Sequence, residues 1–128
     1  MLNAIKNPND KKKFDLEERT SVFGESVIEL AKLIPQGPIN NPLITQFVKS
    51  GTSVGANYSE ADSAESRKDF EHKMGICKKE AKETRYWLRM IAKACPLLTD
   101  NAQVLWQEAH ELLLIFSTII KNSRNNSK

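Results

Sequence analysis

Residues Lys49–Phe70 read KSGTSVGANYSEADSAESRKDF, and their helical register decides the fold. At three- and four-residue spacing, Val54, Tyr58 and Ala61 extend an apolar stripe that begins upstream with Leu43 and Phe47; Ile44, Val48, Gly51 and Gly55 run beside it. A helix from Pro42 to about Ala61 is expected. Pro42 suits the first helical position, where its missing N–H does no harm, and Asn40 or Asn41 is the expected N-cap. Gly51 and Gly55 clear one face of side chains, at about 1 kcal/mol of helix propensity each relative to Ala. Another backbone can approach there, from this chain or from a second subunit.

Outward from this stretch the pattern repeats. Leu16, Phe23, Val27, Leu30 and Ile34 mark an amphipathic helix beginning near Asp15, with acids in its first turn, and Pro35, Gly37 and Pro38 end it. Asp62–Ser66 is polar and reads as a turn or a distortion, with Ser66 the expected N-cap of the next helix. From Arg67, the positions Phe70, Met74, Cys77, Ala81, Thr84, Leu88, Ile91 and Cys95 step by alternating four and three, a heptad-like seam closed by Pro96. Thr99 or Asp100 is placed to cap a fourth helix, whose seam is Leu105, Leu112, Phe116 and Ile119, flanked by Leu113, Ile115 and Ile120. Four helices with short links predict an all-α, up-down-up-down antiparallel four-helix bundle over residues 15–120. Residues 1–14 are expected to form a mobile basic arm, and residues 121–128 a frayed tail.

Composition agrees with one soluble domain: 128 residues, 40% hydrophobic and 27% charged, with 5 Gly and 5 Pro. The longest apolar run, Leu112–Ile120, is too short to span a bilayer, and the first residues lack the apolar core of a signal peptide, so a cytoplasmic location is expected. Cys77 and Cys95 form no CxxC and are expected as reduced thiols, partly buried.

Chemistry is sparse. The 2 histidines carry one carboxylate-x-x-His pair, Asp69 and His72; His110 has Gln107 in the equivalent place, so the double Glu-x-x-His set of a di-metal bundle is incomplete. The serines lack a G-x-S-x-G setting, and the Gly51–Gly55 spacing lacks the Lys and the strand of a phosphate-binding loop. Neither a catalytic group, a metal site nor a cofactor is expected. Asn57 and Glu60 share a face with Ser50 and Ser53; if that face is buried, Glu60 needs a cation or donors, which Lys49 or a base of the third helix can supply.

Charge is uneven. The net charge is +3, but residues 66–95 carry 9 Lys and Arg against 4 Asp and Glu. Lys73, Lys78, Lys79, Lys82, Arg85 and Arg89 on this third helix are the candidate nucleic-acid contacts, with Tyr86 and Trp87 available to stack on bases or to pack in an interface.

The run SGTSVGANYSEADSAESRKDF followed by GICKKEAKETRYWL, within Phe14–Leu88, resembles the bacterial four-helix-bundle proteins associated with intervening sequences in 23S ribosomal RNA. It is also similar to the accessory variability determinant proteins of diversity-generating retroelements. The resemblance implies a homopentamer without enzymatic activity, working with RNA or DNA, and a reverse transcriptase or another protein as a further partner. Ser50, Ser53, Ala56, Asn57, Glu60, Ser66, Phe70 and Glu80 match the family pattern, and Lys49 stands where many relatives have Arg. Lys49, Ser53, Asn57, Glu60 and Phe70 are accordingly expected to specify the bundle or its oligomer. Two functions follow as expectations: nucleic-acid or nucleic-acid-enzyme binding through the third helix, or a protein–protein scaffold that binds no nucleic acid.

Overall fold

In the computed structural model, residues 16–126 are described; the expected basic arm and the Asp15 cap lie outside them. Four helices follow in order: α1 Leu16–Leu33, α2 Asn40–Asp62, α3 Arg67–Ala94 and α4 Thr99–Asn126, with a single 3₁₀ turn, Pro96–Leu98, before α4. No strand occurs among the described residues. Consecutive helices pack together, and α1 also meets α4.

Side-chain register shows α2–α3 and α3–α4 to be antiparallel. Ser50, Val54 and Glu60 of α2 meet Thr84, Cys77 and Lys73 of α3, in descending order. Arg85 of α3 meets His110 of α4, and Glu71 meets Ser123. The links are too short for any other direction between consecutive helices.

The seams expected from spacing bury the core. Phe23, Val27, Leu30 and Ile34 converge with Phe47, Val54, Met74, Cys77, Ala81, Leu88, Ile91, Leu105, Leu112 and Phe116. Phe70 and Cys95 close the α3 seam half-buried. In α4 the buried line passes through the small residues Ala102 and Ala109 and ends on Ile120, with Ile119 to one side. Both cysteines are free thiols, Cys77 buried and Cys95 half-buried.

Helix ends differ from the expectation in three places. α2 starts at Asn40 rather than Pro42, and its N-cap Ile39 makes no side-chain cap bond. The two asparagines tie the preceding link instead: Asn40 Nδ2 donates to Pro35 O at 2.8 Å, and Asn41 Oδ1 accepts from Gly37 N at 3.0 Å. Thr99 donates its hydroxyl to Pro96 O at 2.8 Å, holding the 3₁₀ turn against α4. Past Lys121, where a frayed tail was expected, α4 continues to Asn126, and Ser123 reaches Glu71 and Arg67 of α3. The Ser66 cap is as expected, its hydroxyl accepting from Asp69 N at 3.0 Å.

Candidate functional site

The outer face of α3 follows from its two-sided pattern. Because Met74, Cys77, Ala81, Leu88 and Ile91 turn inward, the residues half a helical turn away must face out. Lys68, Lys78, Lys79, Lys82, Arg89 and Lys93 are all exposed, with Tyr86 among them at 54%. The cations run along roughly 37 Å of helix at 1.5 Å per residue. Of the four acids of α3, Glu83 alone is exposed; Asp69, Glu71 and Glu80 are half-buried. Among the described residues only Lys79 of these six bases has an ion pair, a 4.0 Å contact to Glu83.

Two of the expected nucleic-acid contacts are used inside the chain. Lys73 pairs with Glu60 across the α2–α3 seam, and this hydrogen bond raises the lysine's pKa above its ordinary value. Arg85 lies in the α3–α4 seam, with Nη1 2.8 Å from His110 Nδ1 and its guanidinium 5.3 Å from the centre of the Trp106 ring. Arginine can only donate, so His110 Nδ1 accepts and the imidazole proton sits on Nε2. Trp106 and His110 stack at 5.1 Å and 14°. This Arg85–His110–Trp106 cluster was not read from the sequence. The one available signal was the four-residue step from Trp106 to His110 on α4.

Of the residues expected to specify the bundle, Lys49, Ser53, Asn57 and Glu60 lie on α2 and Phe70 on α3. Asn57 donates Nδ2 to Ser53 O in its own helix at 2.9 Å, and Ser53 donates its hydroxyl to Lys49 O at 2.6 Å. Lys49 is exposed, near enough to Glu80 to favour its charged form. Glu80 is nevertheless pushed upward, first by burial and then by Glu83. The polar contact buried deepest was partly legible: Ser50 and Thr84 meet hydroxyl to hydroxyl at 3.0 Å.

Gly51 and Gly55 are occupied within the chain. A Cβ built on Gly51 would stand 2.6 Å from Val27 Cγ2, and one on Gly55 would stand 3.2 Å from Thr20 O. Their open face receives α1, which settles between the two packing partners left open by the sequence.

The α1–α4 side is less filled. Arg19 forks onto Glu108, Nε to Oε2 at 2.7 Å and Nη2 to Oε1 at 2.9 Å, and also reaches Glu111 at 2.9 Å. Beside this strap runs an open groove of about 570 Å³ lined in part by Val22, Leu33 and Val104, which are 41%, 56% and 71% exposed. His72 is exposed and Asp69 half-buried beside it, and no group of three His, Cys, Asp or Glu suited to a metal ion occurs among the described residues. None of the described helices is long and apolar enough to cross a membrane.

Residues 12–118 match the family model described as 23S rRNA-intervening sequence protein. The chain belongs to that family. A crystal structure of a protein of unknown function from the S23 ribosomal protein family of Bacteroides thetaiotaomicron superposes with a TM-score of 0.72 at 30% identity, over 82% of this chain and 97% of that one. No curated protein matches. This intervening-sequence protein thus shares its fold with that relative.

Proposed function

We propose that this intervening-sequence protein is a non-enzymatic, self-assembling bundle that binds RNA through the outward face of α3. The observation that carries the reading is the exposure of Lys68, Lys78, Lys79, Lys82, Arg89 and Lys93 on a helix that exposes one acid, Glu83, and withdraws its other three toward the seams. A row of six cations on one face of the helix, with one ion pair among them, meets phosphates without needing any particular base.

Titration with an RNA hairpin over a range of salt tests it. Four or five phosphate contacts give a slope of log K against log salt of about −3 to −4. Lys78→Glu, Lys79→Glu and Lys82→Glu together abolish the binding. Absence of binding at low salt, or a triple variant that binds as the parent does, refutes the reading.

The α1–α4 groove supports a second reading, that of a scaffold for proteins. Apolar side chains as exposed as Leu33 and Val104 favour association, and the resemblance makes a homopentamer the expected assembly. Light scattering reads the assembly as a mass five times that of the chain under either reading, so partner capture is what separates them. A reverse transcriptase or other protein partner captured equally well by the triple α3 variant favours the scaffold.

A further inference from the structure

Between α3 and α4, next to the basic stripe, lies a second concavity of about 260 Å³. Leu88, Ala92 and Ala102 contribute apolar lining, and Trp106, Arg89 and Gln103 line it with them. Leu88 and Ala102 are buried, whereas Arg89 and Gln103 are exposed. The volume falls a little below the ~300 Å³ at which pockets for drug-sized ligands begin, a size for one ring system.

Trp106 gives the pocket its chemistry. Its ring centre is 5.1 Å from His110 and 5.3 Å from the Arg85 guanidinium. Were these two groups on opposite faces of the indole, they would be separated by about the sum of those distances. They are instead joined by a 2.8 Å hydrogen bond, so both lie to one side of the ring. Trp106 also lines the pocket, together with Ala102 and Gln103 one helical turn before it, whereas His110 lies one turn after it. Arg85 and His110, neither of which lines the pocket, brace the indole from one side.

From this geometry we infer that the α3–α4 pocket receives a single unpaired nucleobase of a strand held by the α3 stripe. The inference rests on the nucleic-acid reading above and narrows it to single-stranded segments or loops. Arg89 belongs to both the stripe and the pocket, so a phosphate bound there places its base beside Trp106. The base stacks on the indole, and the Gln103 amide offers a donor and an acceptor to the base edge. A base within a duplex is already stacked and paired and does not enter.

The chain has 2 tryptophans, and Trp87→Phe leaves Trp106 as the sole reporter. That protein is titrated with a ten-nucleotide oligoadenylate, a blunt RNA duplex of equal length, and inorganic polyphosphate. Oligoadenylate quenches the Trp106 emission; the duplex and polyphosphate bind without quenching. In the parent chain Trp106→Leu weakens oligoadenylate binding by 5- to 100-fold, as loss of one stacking contact requires, and leaves duplex binding unchanged. Ala92→Leu, which fills the pocket while keeping the indole, has the same selective effect, and a retained melting temperature excludes misfolding. Equal quenching by polyphosphate, or parental oligoadenylate affinity in both variants, overturns the pocket while leaving the stripe intact. Failure of all three probes to bind at low salt removes the stripe and the pocket together.

Discussion

Val27 stands where a side chain on Gly51 would have to be: a Cβ there lies 2.6 Å from Cγ2 and 2.8 Å from Cγ1. Val27 is fully buried and branched at Cβ, so it has little rotational freedom to yield. Gly51→Ala gains about 1 kcal/mol of helix propensity and loses roughly 1–3 kcal/mol to overpacking. A net loss in urea-unfolding stability is expected, with recovery in the Val27→Ala background. Gly75 is the control. A Cβ added at Gly75 would meet nothing within 4 Å, so Gly75→Ala raises stability by up to about 1 kcal/mol. Equal effects at the two glycines would mean that the close approach of α1 is not what Gly51 serves.

The hydroxyl pair in the α2–α3 seam sets helix register. Thr84 is fully buried; its hydroxyl is 2.7 Å from Glu80 O and 3.0 Å from Ser50 Oγ, while Ser50 donates to Phe47 O at 3.2 Å. One hydroxyl proton is shared between two acceptors, one on its own helix and one on α2. Ser50→Ala and Thr84→Val are each expected to cost about 1 kcal/mol, and the double variant less than their sum. Additive losses would show that the two hydroxyls act only on their own helices.

The α1–α4 strap makes stability depend on acid pH. Gln107, then Arg19, holds the Glu111 carboxyl below its ordinary value of 4.5, and the Glu108 hydrogen bond holds the Arg19 guanidinium above its own. A depressed carboxylate pKa stabilises the folded state above the unfolded value, and that contribution is lost as pH falls through the folded one. Melting temperature therefore declines below about pH 4.5, and Arg19→Gln flattens the decline. An unchanged acid profile in that variant would detach the strap from the pH dependence.

The two thiols react at different rates. Burial pushes the Cys77 thiol up to about 12, and its Sγ lies 3.6 Å from Val54 O. Cys95 is half-buried and accepts from Asn40 Nδ2 at 3.5 Å. Since the thiolate is the nucleophile, alkylation of the native protein at pH 8 labels Cys95 first, and Cys77 only on opening of the bundle. Because the folded state keeps Cys77 neutral, its contribution to stability falls as pH rises past the ordinary thiol value of 9. Simultaneous labelling of both cysteines would contradict the burial.

Periodicity by itself determined the helices, the inward seams and their antiparallel order, because an apolar stripe at three- and four-residue spacing has to be covered and short links leave few ways to cover it. It also placed the Ser66 cap and the basic character of α3. Register between helices was beyond it, since side chains far apart in sequence meet only after packing. That is why Glu60 found Lys73 rather than an unspecified base, why Gly51 and Gly55 turned out to receive α1, and why the Asn40 and Asn41 side chains went to the link instead of a cap. Trp106, His110 and Arg85 come from two helices, and no spacing along either one announces their cluster. The sequence marked which face of α3 is charged; only the tertiary structure decided which of those charges stay in water and which, like Arg85, brace a ring.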